Sequence, residues 1–328
     1  MCYNATCRKT IYRICVGGFI LYKYVLRRLL MLIPILIGVT LIVFFIMDLT
    51  PGTPGRQILG IQAKQEAVDQ LNEELGFNRP FLVRLTDYIV RALHGDFGNS
   101  YNSRKPVFDE IFSRFPTSLT LAILGVVSSA IIGIPIGILS AVKQYSLIDS
   151  ISTAASLLLA AIPGFWMGLM LILLFSLRLK WLPSFGLESW RGFILPTVIM
   201  ALPGAAGLLR MTRSTMLETI RQDYIRTARA KGADEKRVVW VHALKNALLP
   251  VITSLGLRFG YLLGGTVVVE SVFSLPGLGA FIVLSIRQKD IPQVMASILF
   301  LALLFCLILL FVDIIYAYID PRIKDKYI

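Results

Sequence analysis

Histidine is nearly missing from this chain, which has only His94 and His242, and cysteine is scarce: Cys2, Cys7, Cys15 and Cys306, with no pair at CxxC spacing. Neither a disulfide framework nor a zinc site is expected, and no other cofactor is implied. A protease working inside a membrane needs a nucleophile with a base, or paired aspartates, within an apolar stretch. Both histidines fall in polar segments and no G-x-S-x-G occurs, which argues against that class. The pattern G-x-x-x-x-G-K-[ST] is absent, as is any Gly-Lys pair, so the backbone cradle and lysine that hold nucleotide phosphates are not encoded. Inverted repeats and a charged relay, the marks of many secondary transporters, are not visible either.

Apolar residues take the place of charge. They make up 56% of 328 residues, and the mean hydropathy is +0.72, more than a soluble domain can cover with polar surface. Six stretches carry almost no charge: Leu29 to Met47, Leu119 to Val142, Ile151 to Leu177, Phe193 to Leu209, Ala247 to Val269 (interrupted by Arg258) and Ile291 to Val312. Roughly 20 apolar residues at helical rise cross a hydrocarbon core of about 30 Å, so each stretch reads as one membrane helix. The fold class is thus an all-α membrane protein with six transmembrane helices.

Orientation follows from lysine and arginine, which short cytoplasmic loops retain. With the N-terminus inside, six fall in residues 1–28 and nine in Arg210–Lys245, against three (Arg178, Lys180, Arg191) and two (Arg287, Lys289) in the short outside loops. Both termini are therefore expected in the cytoplasm. The net charge of +13 reports this orientation rather than a nucleic-acid partner, since the basic residues are not gathered on a soluble domain. Residues 1–22 read as an N-terminal cytoplasmic extension. Their apolar core, Ile14 to Tyr22, is short, and no small-residue cleavage site precedes Lys23.

Two polar segments interrupt the helices of the transmembrane domain, residues 23–328. Residues 48–116 begin with the turn-forming Thr50-Pro51-Gly52-Thr53-Pro54-Gly55 and then offer two helices, Gln65 to Leu75 and an amphipathic run to Leu93 with Leu82, Leu85, Ile89 and Leu93 as its apolar positions. This segment is expected outside the cytoplasm, on the membrane surface. Residues 210–246 are expected inside: a short helix, a glycine turn and a second helix. Tyr224, Ile225 and Ala228 share one face while Arg226 and Arg229 project elsewhere. Gly232 suits a left-handed C-cap and Asp234 the N-cap of the helix through Lys245 toward Pro250. Ala228 and Gly232 would let this helix seat closely in a groove of another protein.

Two ionisable residues mark the fifth stretch, Arg258 within it and Glu270 at its outer end; about 18 Å of helix separates them, too far to pair. Arg258 and Glu270 are both candidates for a translocation path or partner interface; for Arg258 a contact to another helix's carbonyls or to Asp313 is the alternative. Asp313 itself reads as an interfacial charge. Pro135, Gly137, Pro163, Gly164, Pro196, Pro203, Gly204 and Gly207 read as packing positions.

The inside loop resembles the docking loop of binding-protein-dependent permeases, whose pattern is EAA, three residues, Gly, nine residues, then I-x-L-P. Here Arg226-Thr227-Ala228, Arg229-Ala230-Lys231 and Gly232 stand at those positions, with His242-Ala243-Leu244-Lys245 at the last four and the proline displaced to Pro250. Ala228, Gly232 and Leu244 are what the general pattern keeps. The longer run DYIRTARAKGADEKRVVWVHALKNALLPVIT resembles the dipeptide, oligopeptide and nickel branch, and YVLRRLLMLIPILIGVTLIVFFIM, LHGDFGNSY and VVVESVFSLPGLG are similar to its B-type member. The resemblance implies a type I ABC importer permease of the bacterial inner membrane. It implies a C-type permease as partner, two ABC ATPase subunits and an extracytoplasmic solute-binding protein, with lipid around the helices. It also implies that Tyr224, Ile225, Arg226, Thr227, Ala228, Arg229, Ala230, Lys231 and Gly232 form the ATPase coupling helix. Di- or oligopeptides are the implied substrates, with nickel chelates and glutathione as alternatives.

Overall fold

The structure, a computed structural model, describes the backbone of residues 3–319 and, residue 265 apart, the side chains of 25–314. Among the described residues there is no strand; the nearest approach is a single antiparallel bridge between Asn99 and Pro106. Helix α1 covers Tyr3–Leu49, and its apolar part is Val25–Leu49. The side chains of the expected extension, residues 1–22, and the basic residues after Asp320 lie outside the described set. The chain leaves α1 at Thr50-Pro51-Gly52, as expected. It then forms a short helix the sequence did not announce, α2 (Pro54–Leu59), with proline in its first turn and Thr53 Oγ1 accepting from Arg56 N at 3.3 Å. Helix α3 (Gln65–Glu74) ends at Gly76 with φ +70°, and α4 covers Phe81–Leu93.

The buried stripe of α4 differs from the expected one. Leu85 is buried and packs with Phe81, Tyr88 and Ile89 against Phe44 and Met47 of α1, whereas Leu82 and Leu93 point outward. Both stripes satisfy a helical period, and the aromatic rings on the first bury more area per residue.

The membrane part, begun by α1, continues with α5 (Val107–Val142). The third apolar stretch, expected as one helix, is two: α6 (Leu147–Ala161) and α7 (Gly164–Arg178), at 99° to one another. Pro163 is the cause. It has no N–H to continue the ladder and forces Ile162 out of the helical region, to ψ 124°. The remaining helices are α8 (Ile194–Ile220), α9 (Asp223–Ala230), α10 (Glu235–Gly264), α11 (Val267–Val272), α12 (Leu278–Arg287) and α13 (Ile291–Ile319). The fifth stretch therefore stops at Gly264, and Glu270 belongs to a separate short helix. Helix α12 falls in what the sequence presented as loop.

Small residues decide how the bundle packs. Gly125, Ser129, Gly133 and Gly137 recur every four residues along α5 and let α8 approach to backbone contact. A Cβ on Gly133 would stand 2.6 Å from the Ala205 carbonyl oxygen, and one on Gly137 would stand 2.8 Å from that of Leu209. Ser129 Oγ donates to Ala201 O at 3.0 Å across the same seam. Partners rise together in number along both helices, so α5 and α8 run parallel.

These contacts trace the path of the chain. The start of α13 lies by the end of α1, where Lys289 donates to the carbonyls of Thr50 and Gly52. Glu110 of α5 accepts from Gln293 there as well, at 2.8 Å. At the opposite end, Arg28 of α1 pairs with Asp313 of α13 at 2.8 Å, and Asp149 of α6 pairs with Arg213 of α8 at 2.6 Å. Helix α7 leads back to the first end, where Gly186 N donates to Phe273 O at 3.2 Å. Helices α1, α5, the broken pair α6–α7, α8, α10 and α13 thus make six alternating crossings. Helix α1 starts and α13 finishes at the end where α9 sits.

Candidate functional site: the docking helix and the embedded charges

Helix α9 is short and mostly polar, so it needs anchors. Ile225 is the only large aliphatic residue in DYIRTARA, and it is fully buried among Ile138, Met216, Val238, Val239 and Ala243. Burying an isoleucine contributes about 1.5–3 kcal/mol. Arg229 Nε and Nη2 donate to the two carboxylate oxygens of Glu235 at 2.6 and 3.2 Å, fastening α9 to the first turn of α10. Asn246 Nδ2 donates to Tyr224 Oη at 2.7 Å. The Arg229 guanidinium holds the Glu235 carboxyl below its usual range; both groups are exposed, so the pair adds at most about 1 kcal/mol.

Gly232 ends α9 in the expected left-handed conformation, at φ +84°. Its N–H donates to Arg229 O at 2.9 Å and the next N–H, of Ala233, to Ala228 O at 3.1 Å, the paired bonds of a Schellman cap. A Cβ at this position meets nothing within 4 Å in this chain, so glycine is required here by conformation and not by internal crowding. Asp234 takes the N-cap position of α10 through its backbone, with no side-chain bond.

The orientation of α9 refines the sequence reading. The face carrying Ile225 turns toward the bundle; Ala228 on it is half-buried and Tyr224 stays partly exposed. Arg226, Thr227, Ala230 and Lys231 point outward. One buried isoleucine fixes this rotation, because it is the residue with most to gain by leaving water.

Beneath α9 lies a network that single residues did not reveal. Asp149 is 4% exposed. It accepts from Arg213 Nε and Nη2 at 2.6 and 2.9 Å, from Ser140 Oγ at 2.5 Å and from Tyr145 N at 3.0 Å. The turn between α5 and α6 is thereby locked to α8, about two turns before that helix ends. Nothing in the sequence links positions 149 and 213.

The two charges singled out in the fifth stretch have different surroundings. Glu270 is fully buried at the far end of the bundle. Its carboxylate accepts from Ser118 Oγ at 2.6 Å and from Ala280 N at 2.8 Å, while Ser118 Oγ accepts from Leu278 N at 2.8 Å. Gly277 lies against the carboxylate so closely that a Cβ would stand 2.1 Å from its carbon. Glu270 is the anionic cap of α12 and is spent inside this chain. Arg258 is different. Its Nη2 donates to Met200 O at 2.9 Å, the carbonyl contact that was one of the two readings, while Asp313 pairs with Arg28 instead. Arg258 also lines a cleft between α8 and α10.

Two further charges were missed. Lys289, read only as a loop cation, is 2% exposed at φ +53°, and its ammonium lies 5.4 Å from the Phe77 ring. Asp290 beside it is fully buried and accepts from Ser100 Oγ at 2.6 Å and Asn102 N at 3.2 Å. Burial pushes the Asp290 carboxyl up and the Lys289 ammonium down. Together they clasp the turn between α12 and α13 to the segment that follows α1.

Six crossings of apolar helix, a short polar helix between the fourth and fifth, and a permease bundle closed by glycine contacts define a type I ABC importer permease fold. The same fold is found in the MetNI methionine ABC transporter solved in inward-facing conformations: the likeness has a TM-score of 0.56 at 21% identity and covers 66% of this chain and 98% of that one. The chain belongs to the family described as binding-protein-dependent transport system inner membrane component, whose model matches residues 133–325; the companion N-terminal model matches residues 21–122. The glutathione transport system permease protein GsiC of Escherichia coli K12 is 43% identical over 304 residues, covering 93% of this chain and 99% of that protein. The Salmonella typhi protein of the same name is 42% identical over the same span. The chain is accordingly a multi-pass inner-membrane permease subunit of an ABC importer.

Proposed function

We infer that this permease forms one half of the translocation path for short peptides, glutathione among them, and that α9 is the helix through which ATPase movement reaches the membrane. The observation that carries the reading is the mounting of α9. Ile225 and the Arg229–Glu235 pair tie it to α5, α8 and α10 at once, while Arg226, Thr227, Ala230 and Lys231 are exposed to another protein, Arg226 paired with Asp223 of its own helix at 3.6 Å. A force on that outer face reaches the bundle without bending a flexible loop. The relatives named for glutathione, itself a tripeptide, support a peptide-like substrate.

ATP is hydrolysed by two separate ATPase subunits, because this chain encodes no phosphate cradle. A C-type permease completes the path and a solute-binding protein delivers substrate to the end formed by residues 48–116, α11 and α12. The α9 end faces the cytoplasm, in keeping with the nine Lys/Arg of Arg210–Lys245. Nucleotide binding closes the ATPases, α9 follows, and the path alternates between outward and inward openings.

The test is reconstitution. The permease, co-purified with the subunits encoded beside it and placed in proteoliposomes, is expected to take up glutathione or trialanine only with ATP and the binding protein. ATP-independent uptake, or no associated ATPase, refutes the reading.

A further inference from the structure

Helices α8 and α10 leave between them a cleft of about 270 Å³ that opens to the outside of the chain. On α10, Ser254, Leu257, Arg258 and Tyr261 line it at the spacing of one helical face; on α8, Gly204, Gly207 and Leu208 do. The Arg258 guanidinium lies across Gly204, where a Cβ would stand 2.2 Å from Nε, and a Cβ at Gly207 would meet open space. The α8 wall is therefore notched by glycine at both levels, once to seat the cation and once to leave room beside it.

Among the described residues no carboxylate stands within ion-pair distance of the Arg258 guanidinium, and its Nε is buried with no acceptor. Its Nη2 donates to Met200 O at 2.9 Å, and the donors that this one carbonyl leaves over call for water or an anion in a membrane helix. Its planar fork matches a carboxylate, and the Ser254 and Tyr261 hydroxyls add hydrogen-bonding groups at the rim. The two walls are also the helices that α9 joins, so a movement of α9 changes the cleft directly.

We propose that this cleft is a carboxylate-binding station on the translocation path, in which Arg258 takes the C-terminal carboxylate of a short peptide. The proposal rests on the permease reading above and adds the group that is recognised.

The test uses the assembled complex without its binding protein, which removes that protein's own selectivity. In a chain whose four cysteines are replaced by serine, Gly207→Cys places a thiol in the cleft. A sulfonate-bearing thiosulfonate reagent is expected to modify it about tenfold faster, relative to a trimethylammonium reagent, than it modifies a free thiol, as a nearby cation dictates. The preference is expected to vanish with Arg258→Gln and to persist with Arg258→Lys. Excess trialanine should slow modification severalfold, and trialanine amide should not. Ser254→Cys supplies the thiol if Gly207→Cys does not assemble. A thiol that neither reagent reaches, meaning that the partner permease seals the cleft, overturns the proposal. So does a preference that Arg258→Gln leaves unchanged, or equal protection by peptide and amide. Absence of ATPase subunits from the unsubstituted complex would overturn the permease reading instead.

Discussion

Gly232→Val separates conformation from contact at the docking helix. Valine at φ +84° is strained by about 1–3 kcal/mol, whereas a Cβ at this position meets nothing within 4 Å in this chain. Relief comes by abandoning the cap, at the loss of two backbone bonds, from Gly232 to Arg229 and from Ala233 to Ala228, worth about 1 kcal/mol each. The largest anchor of α9, the buried Ile225, contributes about 1.5–3 kcal/mol, so the strain is comparable to what holds the helix in place. A penalty of about 2 kcal/mol lowers the docked population by about thirtyfold relative to the frayed one. Insertion is not affected, because the site lies outside the crossing helices. The assay is ATP-driven uptake alongside ATPase co-purification for Val, Ala and Asn at position 232. The expected order of activity is Gly, then Asn, which tolerates the left-handed region, then Ala, then Val. Unchanged uptake with Val would remove this turn from the mechanism. Asn as damaging as Val would show that an ATPase surface, and not the turn, excludes side chains here.

The packing makes three further expectations. Ile225→Ala should cost about 2–4 kcal/mol locally and speed amide exchange in α9, while Lys236→Ala, exposed on the next helix, should change neither exchange nor uptake; equal effects of the two would refute the anchoring role. Asp149→Ala leaves Arg213 half-buried without its partner and should cost about 3 kcal/mol, read as a lower unfolding temperature of the purified complex; no shift would refute it. Gly133→Leu drives a side chain into the Ala205 backbone, where a Cβ alone would stand 2.6 Å from oxygen, and should abolish accumulation of the protein, whereas Gly207→Ala at an open position should not; normal accumulation of Gly133→Leu would refute the parallel α5–α8 seam.

The crossings were legible because a bilayer imposes composition: a long apolar run has few other uses. The Schellman turn at Gly232 was legible for a similar reason, since a glycine after a helix-forming run has a local meaning. What escaped depended on distance in sequence. Pro163 was visible, but a proline in a membrane helix can kink it slightly or break it by 99°, and neighbouring helices decide which. Helix α12 is ten residues long, about 15 Å, too short to announce itself as a span. Glu270 looked like a lone charge because its partners, Ser118 and the start of α12, come from elsewhere in the chain. Lys289 looked like a loop cation because the carbonyls it serves are those of Thr50 and Gly52. Even the rotation of α9 needed the far side of its contact, Ile138 and Met216, to be known.

The most direct test of the central claim is where α9 touches another protein. A photo-crosslinking amino acid at Ala230, on the outward face, is compared with one at Asn99, exposed at the opposite end, in cells carrying the whole transport system. The expected result is a crosslink from position 230 to an ATPase subunit and none from position 99. A complex that transports normally while position 230 captures no ATPase, or one in which position 99 captures it, would contradict both the docking role of α9 and the orientation of the bundle.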